Sequence, residues 1–425
     1  MKKSLGMVVL ASLGGLLALP AAKSTASVDA NLAETAKSAD SVVDSVGVNV
    51  HIHYTDTPYA DFPALKRVLK ELGVRHIREG MIDTKWQAFY DRLNELGREG
   101  IKADFVTSPK ITESILAAYP SKVKDSIESY EAPNEYDQSR DPNWAETLND
   151  YVSKLNQIVK GNPETANFPI IGPSLVKKES YAKVAECAPY FDYANLHNYV
   201  GGRNPGTKGW GGGGYGSIDW NLAQANETWP GKPVMTTETG YRTDEGNAQG
   251  VPEDIAGKYF PRLLLEQLAH GIQRTYIYEM VDLGTKKHFN DFSFGLVHED
   301  YSPKPAFNAV KNLLGVLSDP GPSFPLHALN LTLSGDLTNV HHMLLEKRNG
   351  KFYLVLWLEE QAFDVNKKDR AMIGARQLSV RFGQAVQGNV YTLDEKGGLQ
   401  SSVMNLAKTQ PVAVSDRVTI LEIQR

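Results

Sequence analysis

Three observations predict an α/β protein built as a (β/α)₈ (TIM) barrel followed by a small C-terminal β-sandwich. Apolar, β-branched runs alternate with helical periods eight times between residues 46 and 317. That span is close to the roughly 250 residues typical of such a barrel. Beyond the Pro/Gly break "LSDPGPSFP" (317–325) strand patterns continue but helical ones stop. A doubly wound open sheet would want a G-x-G-x-x-G loop after an early strand, and "VGVNVHIHY" supplies none.

The strand runs are "VGVNVHIHY" (46–54), "VRHIREG" (74–80), "IKADFVTS" (101–108), "SIESYEAPN" (126–134), "FPIIGPS" (168–174), "FDYANLHNY" (191–199), "KPVMTTETGY" (232–241) and "RTYIYEMVD" (274–282). Between them, "FPALKRVLKELG" (62–73) sets Leu65, Val68, Leu69 and Leu72 on one helical face and stops at Gly73. "TKWQAFYDRLNELGREG", "NWAETLNDYVSKLNQIVKG" and "EDIAGKYFPRLLLEQLAHG" read the same way, and "KPAFNAVKNLLGVL" (304–317) follows the eighth strand. In the C-terminal domain (326–425), Asn349-Gly350 marks a hairpin inside "HHMLLEKRNGKFYLVLWLEE". "RQLSVRFGQ", "GNVYTLD" and "DRVTILEIQ" are further strands.

The chain has 425 residues, a formal net charge of −5 and 22% charged residues. No basic stripe offers a surface to a nucleic acid. The first 26 residues read as a secretory signal: two lysines, a short Leu/Gly/Ala run, then small residues. Residues 27–45 read as a polar leader into the barrel at 46–317. A secreted or periplasmic monomer is expected, with no membrane span after signal cleavage. Cys187 is the only cysteine, so no intrachain disulfide forms.

In a barrel of this kind the C-terminal strand ends share one mouth, and that is where chemistry is sought. Glu135 follows the fourth strand in "APNEYD", and Glu238 ends the seventh in "TTETGY". One loop carboxylate is ordinarily a cap or an ion-pair partner. Two facing each other across a mouth suit glycoside cleavage, where one is protonated to assist the leaving oxygen and the other ionised. Arg78, at the second strand end, would keep Glu238 ionised, and a less polar setting would raise the pKa of Glu135. The amide of Asn134 suits a sugar hydroxyl.

These segments resemble the acid/base and nucleophile regions of the clan A glycoside hydrolases, of the family 5 (cellulase-like) or family 39 type. "HNY" (197–199) resembles the clan's His-x-Tyr, Arg78 in "IREG" its strand-two arginine, and "FGLVHEDYSPKPAF" (294–307) its entry to the last helix. The resemblance implies Glu135 as general acid/base, Glu238 as nucleophile, Asn134 on the sugar 2-hydroxyl, and Arg78 and Tyr199 orienting Glu238. His197 joins them near the nucleophile, and no cofactor is implied. The chain departs from the pattern twice. Tyr136 stands where family 5 commonly has Pro, and the eighth strand carries Glu279, expected to touch substrate, where a Trp often lies under the sugar.

His51 and His53 at the first strand end have the His-x-His form that opens a metal site in amidohydrolase-type barrels, with Glu135, His197 and Asp282 as further ligands. The fifth strand, "IIGPS", lacks the His such a site needs, so His51 is expected instead as a polar floor residue near the sugar. A glycan-binding barrel without chemistry is a third reading. The Gly-rich loop 201–216 carries Trp210, which is either a sugar-stacking platform or part of a surface loop.

Overall fold

The computed structural model describes residues 28–283 and 293–424; the expected signal segment lies outside the described residues. Eight parallel strands form the barrel: β3 (Val46–Asn49), β4 (His76–Gly80), β5 (Lys102–Val106), β6 (Ile127–Glu131), β7 (Ile170–Ile171), β8 (Ala194–His197), β9 (Val234–Thr239) and β10 (Thr275–Ile277). They pair in sequence order, β10 returns to β3, and an Ile171–Tyr193 bridge joins β7 to β8. Every predicted barrel strand is present, each shorter than the run that predicted it.

Helices follow in turn: α2 (Phe62–Leu72), α3 (Gln87–Arg98), α4 (Glu113–Lys122), α5 (Trp144–Gly161), the short α6 (Lys178–Tyr181) running into a 3₁₀ segment, α7 (Ile218–Thr228), α8 (Glu253–Ala269) and α9 (Pro305–Leu317). In α2 the Asp61 side chain accepts from Ala64 N–H. Gly73 closes the helix at φ 82°, a conformation that suits glycine. Its predicted face, Leu65, Val68, Leu69 and Leu72, is buried against the barrel. In β3, a Cβ on Gly47 would fall 2.3 Å from the Tyr276 ring, so glycine lets that ring fill the barrel interior.

The segment expected to be a leader is structured. β1 (Val28–Thr35) pairs along its length with β11 (Ala328–Gly335), and β2 (Lys37–Ser38) adds to β12 (Val340–Glu346). The helix α1 (Ala39–Asp44) then buries Ala39, Val42 and Val43 in the barrel core. Alternation in "VDANLAET" was the available strand signal, and its polar residues obscured it.

The C-terminal domain continues with β13 (Phe352–Leu358), β14 (Phe363–Asp364), β15 (Asp369–Arg370), β16 (Arg376–Leu393), β17 (Leu399–Val414) and β18 (Thr419–Gln424). One sheet runs β1-β11-β16-β18-β13-β12-β2, with β17 on β16. The two strands expected at "RQLSVRFGQ" and "GNVYTLD" are a single strand, β16, whose register shifts between Arg381 and Val386. Such bulges bend a strand, and β16 pairs with β11 before this bulge and with β18 after it. All seven residues of β13 are buried. Leu354 and Leu356 face the apolar core of the β domain, whereas Tyr353, Val355 and Trp357 face the barrel. That two-sided burial is why "FYLVLWL" is apolar without interruption. Among the described residues no helix is long and apolar enough to cross a membrane.

Candidate active site

The parallel strands deliver their polar C-terminal residues to a cavity of about 640 Å³, walled by residues that include Asn49, His51, Arg78, Asn134, Glu135 and Glu238. Arg78, midway along β4, is buried at the centre of the site and has a partner on every side. Its Nε and Nη2 donate to the two oxygens of Glu131 at 2.8 and 2.7 Å, Nη2 also to Asn134 Oδ1 at 2.7 Å, and Nη1 to Asn49 Oδ1 at 2.9 Å and Glu238 Oε1 at 2.5 Å. A planar guanidinium can serve these directions at once; an ammonium cannot. Because Asn134 Oδ1 accepts from Arg78, its NH₂ is the group left to donate into the cavity.

Glu238 receives a second hydrogen bond from Tyr199 Oη at 3.1 Å. In a regular strand Thr237 and Glu238 would face opposite sides. The register of β9 slips against both neighbours, between Leu196 and His197 and between Thr275 and Ile277. The slip lets Thr237 reach Glu131 and Asn195 while Glu238 reaches Arg78.

Glu135 lies past the end of β6 in left-handed backbone, φ 42° and ψ 42°. A residue before proline favours ψ of about +120 to +160°, so this conformation disfavours Pro at position 136, where the chain has Tyr136. The Glu135 carboxylate meets His197 Nδ1 at 2.8 Å and Gln138 Nε2 at 2.8 Å. His197 Nε2 lies 3.1 Å from Thr237 Oγ1. Burial pushes the Glu135 carboxyl up, but the His197 hydrogen bond and charge, with Arg78 and Gln138 behind them, outweigh it and hold it below the usual range. The shift is thus downward, opposite to the rise expected from the sequence. One ligating atom each from Glu135, His197 and Glu238 lie within 4.8 Å of one another.

Behind Arg78, Glu131 is fully buried. Burial alone would raise its carboxyl, yet the Arg78 charge and hydrogen bonds bring it below the ordinary value. Burial, with the Glu131 charge beside it, instead pushes the Asp104 carboxyl well up, and Ser129 donates to it at 2.5 Å. Glu131, Asn49 and Thr237 escaped the sequence reading. The available signal was a charge inside an apolar strand, "SIESYE".

His51 lines the cavity, stacked on Tyr54 at 4.6 Å, with Nε2 3.4 Å from Glu279. Burial lowers its pKa to about 3, so it is neutral. Glu279 is fully buried and accepts from Tyr59 Oη at 2.9 Å, so it underlies the wall rather than forming its surface. His53 is turned to Glu79 at 2.7 Å, and Asp282 is held by Lys304 at 2.8 Å. Among the described residues, no third ligand joins His51 and His53, so the arrangement does not support the metallohydrolase reading. Trp210 contributes no wall to the cavity formed by the described residues. Its ring packs under Arg203, whose guanidinium lies 4.3 Å from the ring centre, with Tyr215 edge-on at 5.5 Å.

No family profile and no curated protein sequence matches the chain. Solved structures do. A GH39 enzyme from Xanthomonas axonopodis pv. citri aligns with a TM-score of 0.58 at 14% identity, over 92% of this chain and 96% of that one. The chain has the fold of a family 39 glycoside hydrolase. A monomeric beta-xylosidase from Caulobacter crescentus CB15 aligns at TM-score 0.57 and 14% identity, covering 92% and 97%. A family 39 glycoside hydrolase from Bacteroides cellulosilyticus WH2 gives 0.57 and 14%, covering 91% and 82%. The family 39 fold thus extends over the β domain as well as the barrel, as those coverages require.

Proposed function

We propose that the protein is an exported, monomeric retaining glycoside hydrolase that cleaves β-glycosidic bonds of a poly- or oligosaccharide by double displacement, without a cofactor. The observation that carries this is the Glu135/Glu238 pair, with oxygens within 4.8 Å of each other across the cavity. Carboxyl groups about 5–5.5 Å apart leave no room for a water between one of them and the sugar, which is the retaining geometry. Glu238, fixed by Arg78 and Tyr199, attacks the anomeric carbon. Glu135 protonates the departing oxygen and then, as a base, takes a proton from the water that releases the sugar. The Asn134 NH₂ is directed to the 2-hydroxyl, where a contact strengthens as the oxocarbenium character develops.

The test is a trap. A 2-deoxy-2-fluoro β-glycoside with a good leaving group slows both steps but the second more, so the sugar stays on the enzyme. Xylo- and gluco-configured versions are the first choices, since structural neighbours include a beta-xylosidase and a glucosidase. The expected result is one added sugar on the peptide containing Glu238. Turnover of an ordinary substrate with inversion at the anomeric carbon would reject the mechanism.

The His197–Glu135 contact sets the pH profile. kcat/KM reports the free enzyme, in which the acid form of Glu135 is required, so activity falls as pH rises through its pKa. That pKa is depressed by His197. His197→Phe removes the cause, and the basic limb of kcat/KM is expected to move to higher pH, on substrates whose leaving groups need protonation. A limb that stays put, or moves down, contradicts the assignment of Glu135 as acid.

A further inference from the structure

Two loops frame the cavity on the side of β8 and β9. The first runs from Tyr199 to Gly206, and the second carries Arg242 and Gln249; Tyr199, Arg242 and Gln249 are wall residues. Both are held from outside the barrel by one part of the β domain, the hairpin of β14 and β15 and the chain that leads into it. Glu359, just before this hairpin, is buried and accepts from Asn204 Nδ2 and Gly206 N–H, each at 2.8 Å, while Arg262 of α8 neutralises it at 2.7 Å. At the hairpin turn, Lys368 Nζ donates to the backbone carbonyls of Asn247 at 2.6 Å, Gly250 at 3.1 Å and Ala248 at 3.3 Å. Three carbonyls around one ammonium close the end of the Gln249 loop as a cap would.

Three segments meet at Gly202, where φ is 74°. A Cβ there would lie 2.5 Å from the Gln249 carbonyl oxygen and 2.7 Å from Val365 Cγ1, so loop, loop and hairpin leave space only for glycine. The hairpin is itself anchored. Tyr259 Oη accepts from the N–H groups of Ala362 and Phe363, and Arg370 pairs with Asp254 at 2.6 Å. Lys368 has φ 58°, a conformation that favours Gly or Asn on backbone grounds. The lysine side chain, rather than the turn geometry, gives this position its use.

We infer that the β14–β15 hairpin is a positioning element of the cavity, in which Lys368 holds the Gln249 loop at the wall and so sets how tightly substrate is bound. Only the kinetic half of the test rests on the glycosidase reading. Lys368→Met keeps the aliphatic stem and removes the ammonium from an exposed turn; Lys368→Arg keeps the charge. In Lys368→Met, amide hydrogen exchange in residues 244–250 is expected to accelerate by about tenfold, the signature of a local opening rather than global unfolding. KM is expected to rise about fivefold with kcat within about twofold, the pattern of lost ground-state positioning. Lys368→Arg should recover most of both, and melting temperature should be unchanged. Unchanged exchange in 244–250 overturns the inference whatever the kinetics. So does a loss of kcat together with melting temperature, which is a structural effect. If the wild-type protein cleaves no glycoside, the functional reading fails and the exchange measurement alone decides this one.

Discussion

Replacing Glu238 with Ala is expected to lower turnover by about 10⁴-fold or more, the scale on which single members of a catalytic set act, and azide is expected to restore a glycosyl azide of α configuration. Glu135→Ala should lose less, on the order of 10²–10⁴-fold, and azide should there give the β product. The difference follows from which face each carboxylate occupies. Removing Glu238 opens the face opposite the leaving group, so azide displaces the aglycone in a single inversion. Removing Glu135 opens the leaving-group side, so azide attacks the glycosyl-enzyme already formed on Glu238 and a second inversion restores β. Substrates with dinitrophenyl leaving groups, which need no proton, should be spared in the first step by Glu135→Ala and not by Glu238→Ala. Product configuration by NMR reads the result directly. Exchanged configurations would exchange the two roles, and wild-type turnover in either variant would remove that residue from the mechanism.

The barrel was legible because burial on both faces makes its strands apolar and β-branched, and because helices such as α2 carry both their stripe and their stop signal. What the sequence hid lies where one residue answers to two neighbours. β1 (residues 28–35) pairs with β11 (residues 328–335), and no local pattern announces a partner that distant. The long β16 reads as two strands because a bulge breaks its alternation at the point where it changes neighbours.

For the site, Glu135, Glu238, Arg78, Asn134, His197 and Tyr199 were nameable from their positions at strand ends, and the structure brings these six together. Their couplings were not legible. Nothing in "TTETGY" says that a register slip turns two successive side chains inward. Nothing in "NEYD" says that His197 lies on Glu135 and reverses the direction of its pKa shift. Glu279 and His51 are present at the same end of the barrel, but as a buried carboxylate and its neutral cover. Trp210 packs against its own loop instead of lining the cavity formed by the described residues. A Cβ on Gly216 would lie 2.2 Å from its ring, so the glycines of that loop make room for the indole against the loop itself.

Arg78→Met should damage stability and activity together, and a second substitution should separate them. Arg78 is 5% exposed, and its loss leaves the fully buried Glu131 charged without the guanidinium that pairs with it. Breaking a buried pair from one side costs about 3–5 kcal/mol, to be read as a lower midpoint in urea denaturation. Asn195 Nδ2 and Thr237 Oγ1 remain as donors to Glu131, at 3.1 and 3.2 Å. Activity falls for a different reason: Glu238 loses its 2.5 Å partner and Asn134 the contact that fixes its amide. The double variant Arg78→Met/Glu131→Gln removes the stranded charge, so most of the stability should return, because replacing both partners of a buried pair is far cheaper than removing one. Turnover should stay as low as in the single variant, since nothing returns to Glu238. Arg78→Lys should sit with the losers in turnover despite its charge, as one ammonium cannot face Glu131, Asn49, Asn134 and Glu238 at once. A double variant that regained both properties would show that Arg78 acts only by neutralising Glu131. One that regained neither would place the cost of the single variant in packing around the methionine rather than in the buried charge.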